Sequence, residues 1–379
     1  MFQGVINTIR SWVRPGIEPQ PKDRNTASNG SPVRPVNNQS YLSGMLGYAA
    51  KRTRLAWNNP SSLLSRAASK PVSTMHWLAE NRFGVAKLIG KVLIPSQHHR
   101  YCNLTNCSNF VNDLVSNPPP DGSKYEIMTI EDNKTKLKAL ICYPPGYNPA
   151  KEENSRCIVF NNPNGMLLAE FITEHKQLNP HQLPGFLQKE RKCPVIFYDY
   201  RGTGLNKSPD APSSTNQTII QDGCAVLKHA LDKFVLVEVV GSSLGGGVAT
   251  VSLEKVLSST DILDRGRVSL VSHDSFTSAP QVVLPGMPRL ANAIGWLVGG
   301  GIDAAKSMKK LIRERIPITV MNNQNDPVIR KGSRMSEFLR DFKTNSRITV
   351  VENTEVFENG HCGFGDKFRN SLTRPDKRG

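Results

Sequence analysis

Long apolar runs are missing from this sequence of 379 residues. A helix that spans a membrane needs about 20 consecutive apolar residues. The nearest candidate, residues 282–302, is interrupted by two prolines, an arginine and an asparagine. The first residues also lack the continuous apolar core of a secretory signal. The sequence therefore predicts neither a transmembrane helix nor a secretory signal.

Cysteine is too scarce for a disulfide framework, since the chain has only seven. Cys142, Cys157 and Cys193 fall in or beside apolar runs, and we expect them to be small buried side chains. Two histidines and two cysteines at residues 98–107 match the spacing of no common zinc site. We therefore predict no metal and no organic cofactor.

Acidic residues are scarce in residues 1–100, which hold 14 Lys or Arg against three acids, while the rest of the chain carries only +5. A basic arm on a nearly neutral body favours an anionic membrane surface or an acidic protein over nucleic acid as a partner. Residues 1–14 place Phe2, Val5 and Ile9 at helical spacing with arginines opposite. This pattern is typical of an amphipathic helix on an anionic bilayer. A targeting peptide, or a helix docked on the protein itself, is the alternative.

The composition divides the chain into four segments. Residues 1–40 combine the amphipathic helix with a linker rich in Pro, Asn and Ser, which has too few apolar residues to fold. Residues 41–120 regain helical patches and are expected to form a loosely helical basic extension. Residues 121–370 are predicted to be the catalytic domain, and residues 371–379 a basic tail.

Strand-like and helical patterns alternate from residue 124 onward, which is typical of a mainly parallel sheet covered by helices on both faces. We predict eight strands, the first two of them antiparallel, with helices such as Thr218–Lys233 between them. The predicted strands are Tyr125–Ile130, Leu137–Tyr143, Cys157–Asn161, Val195–Tyr200, Val235–Val240, Val268–Ser272, Ile318–Asn322 and Ile348–Val351. The sequence thus predicts one α/β domain with a basic, partly disordered N-terminal extension.

The strongest chemical signal is Gly241-Ser242-Ser243-Leu244-Gly245, at the end of an aliphatic run. Glycines two residues on either side of Ser243 let a strand and a helix approach closely around a sharp turn, as in a nucleophile elbow. The helix that follows directs its N-terminal dipole at an oxyanion. Ser243 is therefore the predicted nucleophile, and Ser242 is a competing hydroxyl without the glycine spacing.

Partners for this serine follow at two later strand ends. Asp326 lies in an Asn-Asp-Pro-Val turn past the seventh strand, and His361 lies in a Gly-His-Cys-Gly sequence past the eighth. Serine, acid and histidine in this order are the triad that a nucleophile elbow requires. Asp274, directly after the sixth strand, is the alternative acid.

Residues 124–370 resemble the α/β-hydrolase superfamily in this elbow, acid turn and terminal histidine. The sequence DYRGTG at residues 199–204 also resembles a turn that follows the fourth strand in that superfamily. The resemblance implies that Asp199 and Arg201 brace loops around the active site. A narrower resemblance, to hydrolase-like proteins of intracellular bacteria such as Chlamydia, rests on FNNPNGM and the basic N-terminal extension.

One loop departs from the superfamily pattern. The loop after the third strand usually reads His-Gly-x there, and one of its N–H groups completes the oxyanion hole. Residues 161–166 read NNPNGM instead, and Pro163 has no N–H to donate. The remaining candidate donors are the backbone N–H groups of Asn164, Gly165, Met166 and Leu244. Since loss of one donor costs about 10²–10³ in rate, this loop decides catalytic competence.

Residues 281–315 are more numerous than a connection between the sixth and seventh strands requires. They combine an apolar part, Leu290–Ile302, with a basic helical pattern, Ala304–Arg315. The superfamily often carries a lid at this point, so the resemblance implies a lid. A surface helix packed on the sheet is the alternative.

These features together predict a serine hydrolase of esterase, lipase or thioesterase type. It would cleave an ester or thioester of a lipid or acylated protein through an acyl-enzyme, and the same triad could cleave amides. The alternative is a hydrolase-fold interaction protein or effector with weak or no catalysis. We expect a small-molecule or lipid acyl substrate and a peripheral anionic membrane surface as partners, and no nucleic acid. The compartment, cytoplasmic or exported, is left open.

Overall fold

The structure, a computed structural model, describes residues 104–132, 135–148, 155–207, 214–259, 262–283, 302–342, 344–355 and 361–373. The predictions for residues 1–103, for most of the apolar part of the lid and for the tail beyond residue 373 lie outside these ranges. No helix in the described ranges is long and apolar enough to cross a bilayer.

Eight strands form one sheet in the described part of the chain. They are β1 Lys124–Asp132, β2 Thr135–Tyr143, β3 Arg156–Asn161, β4 Val195–Tyr198, β5 Leu236–Ser242, β6 Val268–His273, β7 Ile318–Asn323 and β8 Ile348–Asn353. Their order across the sheet is β1-β2-β4-β3-β5-β6-β7-β8. Only β2 runs against its neighbours β1 and β4, and the other pairs are parallel. This is the α/β-hydrolase fold, and the predicted eight-stranded sheet with its antiparallel opening pair is confirmed.

Helices cover the sheet on both faces. They are α1 Leu104–Ser116, α2 Leu183–Arg191, α3 Asn216–Lys233, α4 Leu244–Ser259, α5 Ala279–Val283, α6 Ala304–Arg313, α7 Met335–Phe338 and α8 Asp366–Thr373. Short 3₁₀ turns occur at Leu168–Phe171, Gly204–Asn206, Ile262–Arg267 and Leu339–Phe342. The predicted helix over Thr218–Lys233 is α3, which begins two residues earlier because Thr215 caps it and accepts a hydrogen bond from the N–H of Thr218.

Two hydrophobic cores lie on opposite faces of the sheet because successive strand residues point in opposite directions. Val159 packs in the core beneath α3, α4 and α6, and its neighbour Phe160 packs in the core beneath α1, α2 and α8. Each large apolar side chain that folding buries here contributes about 1.5–3 kcal/mol. The inner strands are buried on both faces, which is why their sequences are almost continuously apolar.

Two predicted elements end earlier than expected. The fourth strand ends at Tyr198 rather than Tyr200, because the Asp199 carboxylate accepts backbone N–H groups from two loops and draws the chain out of the sheet. The basic helix α6 ends at Arg313 rather than Arg315. Arg315 has a φ of +59°, a left-handed conformation that ends a helix.

Cys107 differs from the other cysteines that the structure describes. It is disulfide-bonded, so it is not available as a zinc ligand. Cys142, Cys157 and Cys193 are free and buried, as expected for small apolar side chains in or beside strands.

Candidate active site

Ser243 lies at the sharp turn between β5 and α4. Its φ is +53°, a conformation that costs a residue other than glycine about 1–3 kcal/mol. The surroundings hold it there, because its N–H donates to the carbonyl of His273 at 2.8 Å and its carbonyl accepts from Ser275 Oγ at 3.1 Å. The strained turn places the hydroxyl at the carboxyl edge of the sheet.

The two glycines of the elbow have no room for a side chain. A Cβ at Gly241 would lie 2.1 Å from the carbonyl oxygen of Gly245, and a Cβ at Gly245 would lie 2.0 Å from the carbonyl oxygen of Asn161. The close packing of strand against helix therefore requires glycine at both positions. This is the physical basis of the spacing on either side of Ser243.

The structure brings the three residues of the predicted triad together. His361 Nε2 lies 2.8 Å from Ser243 Oγ, and His361 Nδ1 lies 2.7 Å from Asp326 Oδ2. Because an ionised carboxylate can only accept hydrogen bonds, the proton of the neutral imidazole is on Nδ1. Nε2 is then free to accept the hydrogen bond of the serine hydroxyl. Asp326 is fully buried, and one fifth of the His361 side chain is exposed. The arrangement can remove a proton from Ser243.

The charge of His361 is set by opposing influences. Burial disfavours the imidazolium, but the neighbouring Cys362 and the hydrogen bond and charge of Asp326 outweigh it, and they hold the pKa of His361 well above its ordinary value. A raised pKa makes His361 a stronger base toward the serine hydroxyl.

Asp326 is oriented by its own turn. Its Oδ1 accepts the N–H groups of Val328 at 2.7 Å and Ile329 at 3.0 Å. These two bonds leave Oδ2 for His361 and fix its direction. The Asn-Asp-Pro-Val sequence suits this turn because the ring of Pro327 fixes its φ near the value that a turn requires.

Asp274, the alternative acid of the sequence analysis, makes no hydrogen bond to His361. Its Oδ1 accepts the N–H of Asn323 at 2.6 Å, and its Oδ2 accepts the N–H of Cys362 at 2.9 Å. The structure therefore gives Asp326, and not Asp274, the position next to the imidazole Nδ1. Asp274 instead lies beneath the loops that carry the other two residues.

Ser242, the competing hydroxyl, points away from the triad. Its Oγ lies 3.3 Å from Nδ1 of His273, a buried residue at the end of β6. Nε2 of His273 bonds to the carbonyl of Gly363 at 3.2 Å, so this histidine connects the elbow to the loop of His361. These contacts are not predictable from a sequence pattern, and the position of His273 at a strand end is the only signal for them.

The loop after β3 lies directly against the elbow. A Cβ at Gly245 would meet the carbonyl oxygens of both Asn161 and Asn162. The start of the loop that carries the candidate oxyanion donors therefore lies against the first turn of α4. The Met166 N–H bonds to the Pro163 carbonyl at 3.5 Å in a turn with Gly165 at a φ of +84°. The N–H of Met166 is thus engaged within the loop, and the choice among the candidate donors Asn164, Gly165, Met166 and Leu244 stays a prediction.

Asp199 supports that loop from below. Its carboxylate accepts the N–H groups of Leu168 at 2.8 Å and Leu205 at 2.9 Å, and the side-chain amide of Asn162 at 3.3 Å. Burial raises the pKa of Asp199 to about 6, although the two backbone hydrogen bonds lower it. These contacts agree with the bracing role that the resemblance implied.

Arg201 pairs with a buried acid of helix α3. Its Nε donates to Oδ1 of Asp222 at 2.6 Å, and its backbone N–H donates to Oδ2 at 2.9 Å. The pair fixes the turn after β4 to α3. Arg201 is therefore held by structural contacts, as the resemblance also implied.

The described part of the predicted lid is a helix packed on the body. Met308 and Leu311 of α6 are fully buried, and Lys310 pairs with Glu254 of α4. These contacts pack the basic helix against α4, and the lid stays a prediction. Residues 284–301, which include most of the apolar part, lie outside the described residues.

Three potential metal ligands lie close together at the site. Ligand atoms of Asp274, His361 and Cys362 all lie within 4.8 Å of one another. Both carboxylate oxygens of Asp274 accept backbone N–H groups, and both ring nitrogens of His361 are bonded within the triad. These groups are already engaged in hydrogen bonds, so a metal would have to break the triad in order to bind.

Several solved structures are similar to this chain. An α/β-hydrolase of Vibrio vulnificus is 12% identical, covering 76% of this chain and 89% of its own, with a TM-score of 0.47. An esterase of Pyrococcus furiosus is 15% identical, covering 67% and 92%, with a TM-score of 0.44. An esterase of Pyrobaculum calidifontis is also 15% identical, covering 71% and 86%, with a TM-score of 0.40.

No family model and no curated protein sequence matches the chain. The narrower resemblance to hydrolase-like proteins of intracellular bacteria stays a prediction. The identity to these structures is only 12 to 15%. Activity and substrate are therefore argued from the residues of the site and not from these similarities.

Proposed function

We propose that the protein is a serine hydrolase that cleaves an ester or thioester through an acyl-enzyme. The observation that carries the proposal is the hydrogen-bonded chain of Ser243, His361 and Asp326, with links of 2.8 and 2.7 Å. A strained serine at a strand-to-helix turn, a base on its hydroxyl and a buried acid on the base are the parts of a serine-hydrolase triad.

The chemistry proceeds in two halves. Ser243 Oγ attacks the substrate carbonyl while its proton passes to Nε2 of His361, and Asp326 stabilises the imidazolium. The oxyanion accepts N–H groups from Leu244 and from the loop at Asn164 or Gly165. The intermediate then collapses, and the alcohol or thiol leaves with the proton from Nε2. A water, deprotonated by His361, hydrolyses the acyl-enzyme and releases the acid.

A lipid or acylated-protein substrate at a membrane surface is the substrate class that we favour. The support is the N-terminal sequence, in which an amphipathic helical pattern with arginines precedes a strongly basic segment. Anionic lipid attracts such a segment by about 1 kcal/mol per basic residue near the surface. The chain would then meet its acyl substrate at the bilayer surface.

A second function, an interaction protein with weak or no catalysis, is favoured by Pro163. This residue is buried at the start of the oxyanion loop and has no N–H. If the loop offered no donor, the site would lose about 10²–10³ in rate. The complete triad argues against this reading.

Labelling with a fluorophosphonate probe tests the proposal, because the probe reacts only with an activated serine. We expect wild type and Ser242→Ala to be labelled and Ser243→Ala not to be. Ser242 is the matched control, since it is the adjacent residue and also a buried serine. If folded wild-type protein is not labelled, the proposed hydrolase activity is rejected and the interaction protein is the remaining proposal.

A further inference from the structure

A second carboxylate lies beside the catalytic imidazole without bonding to it. Ligand atoms of Asp274 and His361 lie within 4.8 Å of each other. Asp274 is completely buried at the end of β6 and has a φ of +43°. A left-handed, fully buried aspartate is uncommon, and the contacts of its side chain explain why this fold places one here.

The two oxygens of Asp274 hold two different parts of the triad. Oδ1 accepts the N–H of Asn323 at 2.6 Å, and Asn323 begins the turn that carries Asp326. Oδ2 accepts the N–H of Cys362 at 2.9 Å, and Cys362 directly follows His361. One side chain therefore connects the acid turn to the histidine loop.

The groups around Asp274 are those that an ionised carboxylate requires. His273 Nε2 lies 3.5 Å from Oδ2 and also faces the carbonyl of Gly363 at 3.2 Å, so Nε2 carries a proton. The carboxylate thus accepts two backbone N–H groups, and the imidazole N–H of His273, which faces the carbonyl of Gly363, lies nearby. Burial raises the pKa of Asp274 above its ordinary value and the charge of Asp326 adds to the rise, while His273, His361 and the N–H of Asn323 oppose it.

Among the residues that the structure describes, four titratable groups face the imidazole of His361, namely Asp326, Asp274, Cys362 and His273. Against the effect of burial, Cys362 and Asp326 both raise the pKa of His361. The charge of His361 in turn lowers the pKa of Asp274, so the imidazolium and the second carboxylate attract each other. In a buried site this attraction is screened little by solvent.

We propose that Asp274 is a positioning residue and the second acid of the site. It fixes the backbone that carries His361, and its charge stabilises the imidazolium that forms when His361 takes the proton of Ser243. This inference rests on the proposed function, since a hydrolase gains rate from stabilising that imidazolium. Asp274 acts through His361 and does not touch the substrate.

The test replaces Asp274 with asparagine and follows the His361 imidazole by NMR titration of histidine-labelled protein, with His361→Gln assigning the signal. Asparagine keeps the shape but removes the charge and one acceptor. We expect the titration of His361 to move to lower pH, and kcat on an activated acyl ester to fall by about 10²-fold with KM little changed. Asp222→Asn is the matched control, because Asp222 is also fully buried, also accepts a backbone N–H, and pairs with Arg201.

The NMR titration keeps the two proposals apart. A folded Asp274→Asn protein in which His361 titrates as in wild type would overturn the role of Asp274. In another outcome, the fluorophosphonate probe fails to label wild type while the titration of His361 still moves to lower pH in Asp274→Asn. That result would reject the hydrolase and retain Asp274 as the residue that stabilises the imidazolium. If Asp274→Asn does not fold, the double variant Asp326→Asn/Cys362→Ala decides, because it removes the other groups that raise the pKa of His361. In that variant, a pKa of His361 above about 6.5 supports the second acid, and a lower one overturns it.

Discussion

The absent side chain of Gly245 leaves room for the carbonyl oxygen of Asn161, which a Cβ at this position would approach to 2.0 Å. The contact joins the elbow to the oxyanion loop, because Gly245 lies two residues after Ser243 and Asn161 is the last residue of β3. Any side chain at position 245 must therefore move the loop or the helix.

Gly245→Ala should lower kcat by about 10²-fold, since the loop donor would move by a distance at which catalytic geometry fails. Steady-state kinetics of the folded variant measure this effect. Gly266→Ala is the control, because a Cβ there would have no neighbour within 4 Å, and it should retain wild-type kinetics. Full activity of Gly245→Ala would show that the loop does not contribute to the oxyanion hole.

The pH dependence of kcat/KM should follow the charge of His361. Only the neutral imidazole accepts the proton of Ser243, so activity is low at acidic pH and rises as pH increases through the pKa of His361. Because that pKa is raised well above its ordinary value, the rise should occur above about pH 6.5. A rise of kcat/KM at or below that pH (the acid limb of the profile) would show that the pKa of His361 is not raised.

Asp326→Asn tests the cause of that raised pKa. The substitution removes both the negative charge and the acceptor of Nδ1, so the acid limb should move to lower pH. The maximal kcat should also fall by about 10⁴-fold, because the imidazole loses its tautomer and orientation. A variant whose limb stays in place would show that Asp326 does not set the charge of His361.

The sheet and the meeting of the triad could be read from the sequence because both follow from local patterns. Eight apolar runs mark the strands, and Ser243 and Asp326 lie just past the ends of two of them, while His361 follows the last strand at a greater distance. The carboxyl ends of parallel strands share one edge, so residues at those ends come together. Helix α3 was predictable for a similar reason, since its apolar residues recur at helical spacing.

The contacts of Asp274 could not be read in the same way. Its carboxylate meets the N–H of Cys362, which is 88 residues away in the chain, and no periodicity records such a contact. The sequence offered Asp274 only as a rival to Asp326 because both follow strands. The loop donor was equally hidden, since a backbone N–H exists at almost every residue and only loop geometry selects one.

Pro163→Ala would supply a backbone N–H at the residue that lacks one. If Asn164 or Gly165 already supplies the donor, kcat should change by less than about threefold, a small part of the 10²–10³ that one donor contributes. The comparison is made under saturating substrate, where kcat reports the oxyanion step. A hundredfold increase in kcat would show that the missing donor belongs at residue 163. It would favour the reading that the wild type is a weak catalyst.

Asp199 should make folding stability depend on pH near neutrality. Its pKa is about 6 in the folded protein against an ordinary value of 3.8, so its contribution is fully present below the ordinary value. That contribution is lost as pH rises through about 6, by roughly 3 kcal/mol in all. The wild type should therefore lose stability relative to Asp199→Asn between about pH 4 and pH 7.

Urea denaturation of both proteins at each pH measures that difference and cancels the groups that they share. Asp366→Asn, at an exposed position on α8, is the control and should follow wild type throughout. Parallel curves for wild type and Asp199→Asn would show that Asp199 titrates alike in the folded and unfolded chains.

Removal of residues 1–14 should abolish binding to liposomes that contain anionic lipid. The segment places Phe2, Val5 and Ile9 on one side of a helical pattern and Arg10 and Arg14 on the other, so it combines apolar insertion with electrostatic attraction. Binding of the full chain, followed by co-sedimentation, should weaken as salt rises and be slight on uncharged phosphatidylcholine. A double Arg→Glu variant at these two positions retains the apolar residues and should lose most of the binding. Equal binding by the truncated and full-length chains would reject the membrane helix. The proposed lipid or acylated-protein substrate would then have no support.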